Sequence, residues 1–241
     1  MFSVVPLSPF SFNPALRSFP PSHLGNSSEL KRVFFLVARQ RLSKLIFTLT
    51  PASVDCTRFG VGSPLITMNF HTHDLTAPMP AIINMPQEWL LHPEGAQLRV
   101  DATYSVGIHP WWTADAAWEV LKEGLCFWAQ HPQVVRIGEC GLDKLKGGAL
   151  DLQEQVFLIH VELSERLEKP LTIHCVKAFD RLLSLYKQLR PKQRWTIHGF
   201  RGKPEQAQQL LTAGFDLSFG EHYNEAAFAL CPPTRRYRET D

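Results

Sequence analysis

The chain has 241 residues, 44% of them apolar, a length and composition that allow one large α/β domain or two small ones. A formal net charge of +2 does not by itself announce a nucleic-acid binder, although it leaves room for a local basic groove. Five cysteines, an odd number without C-x-x-C spacing, argue against a disulfide framework or a zinc ribbon and fit a reducing cytosol. No apolar run reaches the roughly 18 residues that cross a bilayer, and nothing points to an obligate protein partner, so the expectation is a cytoplasmic protein.

Residues 1–67 stand apart in composition. Met1 to Ser28 is rich in Pro, Ser and Phe without a period. Ser28–Leu49 reads as a basic amphipathic helix, with Leu30, Val33, Phe34, Val37, Leu42, Leu45 and Ile46 on one side. Few acids and many bases (Arg17, Lys31, Arg32, Arg39, Arg41, Lys44) give it the composition of an organellar transit peptide. The alternative is an extension upstream of a functional start at Met68, poorly ordered or partly helical.

From Met68 to Asp241 short apolar runs alternate with helical segments. The strands expected are Leu65–His71, Ala81–Met85, Thr103–His109, Val134–Glu139, Leu171–His174, Trp195–His198, Phe215–Phe219 and Tyr237–Thr240. Helices are expected over Asp115–Ala129, Asp151–Leu167, Ala178–Leu189, Pro204–Ala213 and Asn224–Leu230, of about seven in all. Repeated βα units imply a parallel sheet covered by helices, and eight strands imply a TIM (β/α)8 barrel that lacks its last helix. The Ser28–Leu49 helix could fill that slot.

A closed barrel carries its chemistry at the carboxyl ends of its strands, and metal-type ligands gather there. His71 and His73, two residues apart, project to one side of the first strand. Glu139 closes the fourth strand, His174 the fifth, His198 the sixth, and Asp241 follows the eighth. Four imidazoles and two carboxylates at one face could hold two divalent cations, with magnesium, manganese or zinc as the candidates. His109 ends the third strand as a substrate contact at the mouth. His92 and His131 read as surface residues and His160 as a satisfied core residue. Trp111 and Trp112 read first as core packing, with a base-stacking surface or lid as the functional alternative.

Asn69-Phe70-His71-Thr72-His73, Gly107-Ile108-His109-Pro110, Gly138-Glu139-Cys140-Gly141-Leu142-Asp143, Ile173-His174-Cys175 and Glu239-Thr240-Asp241 resemble, in order, the motifs of the TatD family of metal-dependent hydrolases. The resemblance runs from about Met68 to Asp241. It implies a TIM barrel of the metal-dependent hydrolase type, a metal site of His71, His73, Glu139, His174, His198 and Asp241, and hydrolysis of phosphodiester bonds, with DNA as substrate. Glu139 would bridge two cations, and Asp241 would orient or deprotonate the attacking water. The chain departs from the family pattern at Asn69, where an acid is usual. After His174, Val176 and Lys177 replace an Arg and an acid, and after His198 stands Gly199-Phe200-Arg201-Gly202. Lys177 and Arg201 are the candidate phosphate contacts. The competing readings are an amidohydrolase acting on an amide, lactone or amine, and an inactive truncated barrel.

Overall fold

In a computed structural model, the structure describes residues 68–114 and 117–241. The transit-peptide and amphipathic-helix readings of residues 1–67 lie outside the described residues.

Eight parallel strands form a closed barrel in sequence order. They are β1 (Asn69–Thr72), β2 (Ala81–Asn84), β3 (Thr103–Val106), β4 (Val134–Asp143), β5 (Leu171–Val176), β6 (Trp195–Ile197), β7 (Asp216–Phe219) and β8 (Arg236–Arg238). Closure comes from β1 pairing with β8, with Asn69 opposite Arg238. The expected (β/α)8 barrel is therefore present, with adjusted bounds. Of the first predicted strand, Leu65–Thr67 lie outside the described residues. The third ends at Val106, not His109, because Gly107 and Pro110 lead into a 3-10 turn over Pro110–Thr113. The eighth begins one residue earlier than expected and stops at Arg238.

Six α-helices are described: α1 (Gln87–Leu91), α2 (Ala117–Ala129), α3 (Leu150–Leu167), α4 (Phe179–Leu189), α5 (Pro204–Ala213) and α6 (Glu225–Leu230). About seven were expected; six lie among the described residues, where β1 joins β2 without a helix. Among the described residues no helix follows β8, and none is long and apolar enough to cross a membrane. The sequence pattern explains the long helices. Along α3 the buried positions, including Val156, Phe157, His160, Val161 and Leu163, recur at helical spacing and face the sheet. Pro204 opens α5, and Gly214 ends it at φ +114°, a left-handed conformation that glycine adopts without a Cβ clash.

Alternation along the strands divides the barrel into an outer apolar layer and a polar interior. Outside, Trp195 packs edge-on against Phe157 and Tyr186, each with ring centroids 5.2 Å away. Rings of this size bury roughly 150–250 Å² each. Inside, near the strand starts, Arg136 reaches across the barrel. Its guanidinium donates to Thr172 Oγ1, Thr196 Oγ1 and the Leu171 carbonyl, and it lies 4.5 Å from the Phe70 ring centroid. Beside it, buried Asp216 pairs with Arg194 (2.8 Å) and Arg235 (3.0 Å). This floor leaves the opposite end of the strands to carry the site.

Candidate metal centre

Glu139 sits midway along β4 and is buried. Two neighbours hold it there. Asn84, the last residue of β2, accepts a hydrogen bond from the Glu139 N–H (3.0 Å) and another from Ser105 Oγ (3.1 Å). Gly138 has φ +130°, and a Cβ at that position would lie 2.2 Å from the Thr172 carbonyl oxygen. Only glycine lets β4 pass so close to β5 at this point.

The two carboxylate oxygens of Glu139 face different nitrogen sets. Oε2 lies 3.4 Å from His71 Nε2 and 3.3 Å from His73 Nε2. Asp241 Oδ1 stands on that same side, 3.5 Å and 3.3 Å from those nitrogens. Oε1 lies 2.7 Å from His198 Nε2, 3.0 Å from His174 Nδ1 and 3.1 Å from His109 Nε2. All six sequence-predicted metal residues therefore converge at the carboxyl ends of the strands, and His109 joins them. One of them leaves its expected strand, since His198 follows β6; Asp241 lies beyond β8, as expected, three residues after its end.

Charge follows from this geometry. Burial opposes ionisation of Glu139, yet His198, His109 and His174 outweigh it and hold the carboxyl well below its ordinary value. His71, then His73, depress Asp241 strongly. Asp241, then Glu139, raise His73 to about 9. Burial alone would lower His198, but Glu139 and Glu239 carry it well above the usual imidazole range. His109 goes the other way because burial dominates. Anionic carboxylates among imidazoles are the donor set of a divalent cation, which replaces the imidazole protons when it binds.

The ring orientations fit a cation as well. His71 is completely buried, yet neither ring nitrogen has a hydrogen-bond partner, and a cation would satisfy Nε2. His174 turns Nε2 toward Asp143 Oδ2 (3.2 Å), and His198 turns Nδ1 toward Glu239 Oε1 (3.6 Å). A carboxylate behind an imidazole keeps the proton on that side and frees the other nitrogen for a metal. His109 differs. Its Nδ1 accepts from the Trp111 N–H (3.2 Å), so its proton is on Nε2, aimed at the centre, and it serves as a donor. Four overlapping groups bring one ligand atom each within 4.8 Å of one another: His71, Glu139 and His198; His71, His73 and Asp241; His109, Glu139 and His174; and His198, Glu239 and Asp241.

The family model described as TatD-related DNase matches residues 84–241, well over half of the chain. The chain belongs to the TatD-related DNase family. A Pantoea sp. (strain At-9b) protein named 3'-5' ssDNA/RNA exonuclease TatD is 32% identical over 119 residues, covering 47% of this chain and 44% of the relative. A protein of the same name from Klebsiella pneumoniae (strain 342) is 34% identical over 113 residues, covering 46% and 42%. The matched stretch thus spans less than half the length of these relatives. Among solved structures, a TatD homolog from Escherichia coli K12 superposes with a TM-score of 0.56 at 24% identity, covering 67% of this chain and 66% of the other. A TatD family hydrolase from Entamoeba histolytica gives 0.55 at 23%, covering 67% and 60%. At those identities the likeness speaks for the fold, and the fold agrees.

The family match begins after β1, so His71 and His73 enter the TatD-type centre through the geometry. The centre opens into a cleft of about 660 Å³ whose lining includes His109, Trp111, Lys177 and Arg201. Lys177 and Arg201 are exposed at its edge. Asn69, the departure from the usual acid, clamps Thr240: its Nδ2 donates to Thr240 Oγ1 (2.7 Å), and its Oδ1 accepts from the Thr240 N–H (3.1 Å). A carboxylate could only accept, whereas the amide does both, and it fixes the residue beside Asp241.

Sequence reasoning assigned no role to Asn84, Asp143 or Glu239. Asp143 and Glu239 lay inside quoted motifs, while a single Asn ending an apolar run gives no signal. Trp111 also differs from its first reading. It is 44% exposed rather than packed in the core, while Trp112 is half-buried against core side chains. His160 is fully buried with both nitrogens satisfied, as expected.

Proposed function

We propose that this chain is a metal-dependent nuclease that hydrolyses phosphodiester bonds at the ends of single-stranded DNA or RNA, using a two-cation site. The observation that carries the reading is the buried Glu139 carboxylate, each of whose oxygens faces its own set of imidazoles. The names of the Pantoea and Klebsiella relatives supply the substrate class and the 3'-to-5' direction.

His71, His73, Glu139 and Asp241 would hold one cation, and Glu139, His174 and His198 the other. Imidazole-rich sites favour zinc, and the carboxylates also suit manganese or magnesium. When bound, such ions polarise the phosphoryl oxygen and bring the pKa of attacking water toward neutrality. Asp241 is the proton acceptor for that water through Oδ2, its oxygen away from His73 and 3.9 Å from His198 Nδ1. The water oxygen forms a bond to phosphorus as the bond to the leaving sugar oxygen breaks, and the His109 Nε2–H donates to the leaving group. Lys177 and Arg201, at the edge of the cleft, bind the flanking phosphates.

A reducing compartment, the cytoplasm, belongs to the same reading, since the described cysteines Cys126, Cys140, Cys175 and Cys231 are all free. The test is cleavage of end-labelled single-stranded DNA and RNA by chelator-stripped protein reloaded with zinc, manganese or magnesium. Cyclic amides and lactones run beside them. Hydrolysis of the amides alone, or no cleavage under any metal, would refute the proposal.

A further inference from the structure

We propose that Trp111 is the platform that seats the base of the terminal nucleotide, and that Asp143 ties this platform to His174. The proposal rests on the nuclease reading and adds the residue that meets the base. Trp111 starts the second residue of the 3-10 turn Pro110–Thr113, lines the cleft and is 44% exposed. Its polar edge is nevertheless fully engaged. The indole Nε1 donates to Asp143 Oδ2 at 2.7 Å, and the Trp111 backbone N–H donates to His109 Nδ1 at 3.2 Å. A tryptophan kept for packing would bury its ring. This one is tethered at its nitrogen and presents apolar surface to the cleft.

The tether ends on a rigid anchor. Asp143 Oδ1 accepts the backbone N–H groups of Leu145 (2.7 Å) and Lys146 (3.1 Å), so the carboxylate cannot rotate without losing both. Its Oδ2 is shared between Trp111 and His174 Nε2, which lies 3.2 Å away. One oxygen therefore links the exposed indole to an imidazole that faces Glu139. Any base loaded on the ring is registered to the reacting phosphate through that link. Lys146 Nζ lies over the ring, 4.0 Å from its centroid, so a base seated on the indole takes the opposite face or the place of this exposed side chain. A π-face reads no sequence but requires an unpaired base, so the platform selects frayed or single-stranded ends of any composition.

Cleavage kinetics of the full chain separate the two parts, using one oligonucleotide and its counterpart with an abasic terminal nucleotide. The wild type is expected to show a KM about tenfold higher or more on the abasic substrate. Trp111→Ala should raise KM similarly on the normal substrate and add nothing on the abasic one. Trp111→Phe keeps a ring but loses the N–H, so it should hold KM and lower kcat. Asp143→Asn should weaken metal binding about tenfold or more, read by chelator competition without substrate. Equal effects of Trp111→Ala on both substrates, or unchanged metal affinity in Asp143→Asn, would overturn the proposal while leaving nuclease activity standing. Should Trp111→Ala fail to fold, the abasic comparison and Trp111→Phe decide the same point. Absence of all cleavage by wild type would overturn the nuclease reading and this inference with it.

Discussion

The barrel has polar groups buried at both ends, and the two ends treat them differently. At the floor, Arg136 satisfies three acceptors, and Asp216 is closed in by Arg194 and Arg235. At the mouth, fully buried His71 has no hydrogen-bond partner on either nitrogen. Burial without satisfaction costs free energy, so it persists where something else gains from it. The floor closes the barrel; the mouth is kept open for a ligand. Substitutions at the two ends should therefore fail in different assays.

The largest effect belongs to the mouth. Glu139→Gln keeps the volume and removes the charge that faces five imidazoles. Metal-dependent hydrolysis should fall by more than about 100-fold, with metal affinity lost in parallel. Without metal, the variant lacks the anion that these imidazoles hold ionised, so its urea midpoint should fall, while the fraction that stays folded still fails to cleave. A variant that folds poorly but still cleaves would reverse the contrast between the two ends.

Arg136→Met tests the other half. It strands Thr172 Oγ1, Thr196 Oγ1 and the Leu171 carbonyl and takes a cation from beside Asp216. Burial already pushes this guanidinium down to about 10, so it remains charged at neutral pH. Loss of roughly 3–5 kcal/mol in urea unfolding is expected, with metal affinity of the folded fraction unchanged. Lost metal affinity at full stability would show that the floor is not separate from the site.

How much of this was legible in the residues follows the same division. The strand ends that bring these side chains together could be read because His71, His73, Glu139, His174 and His198 each terminate or interrupt an apolar run that periodicity reveals. Orientation could not be read. Whether Asp143 backs His174 or Asn84 holds Glu139 depends on how β2, β4 and β5 sit in register, which no local pattern encodes. Helix α1, at five residues, is too short to show a period. His109 looked like a strand end because its run is apolar, yet Pro110 cannot donate to a ladder and turns the chain away. Asn69 stood out only as a departure from the family pattern, and its two bonds to Thr240 join residues at opposite ends of the barrel's strand order, which no local pattern encodes.

His160 belongs to neither set, and it ties α3 to the chain just before His109. Its Nε2 accepts from the Ile108 N–H (2.8 Å), which leaves the proton on Nδ1 beside the Val156 carbonyl (2.8 Å). Burial drives its pKa from 6.5 to about 4. The folded state thus prefers neutral His160. That contribution is complete above pH 6.5 and is lost as pH falls toward 4, where the unfolded chain binds the proton first. About 3 kcal/mol should disappear across that window. Urea midpoints at pH 7 and 4.5 should therefore differ more in wild type than in His160→Gln, and equal differences would remove this link.

The smallest effect separates charge at the rim from charge at the centre. Lys177 and Arg201 are exposed, so neither is expected to affect stability measurably, and replacing either by Ala should leave the unfolding midpoint in place. Their work is with phosphate, where each neutralised charge releases condensed counterions. For a single strand, the slope of log affinity against log salt becomes shallower by about 0.7 for each contact removed. Lys177→Ala and Arg201→Ala should each flatten that slope by this amount, while metal affinity stays at the wild-type value. An unchanged slope would take the residue off the path of the nucleic acid. A changed metal affinity would instead move it from the rim into the centre, and the line between the two would have to be redrawn.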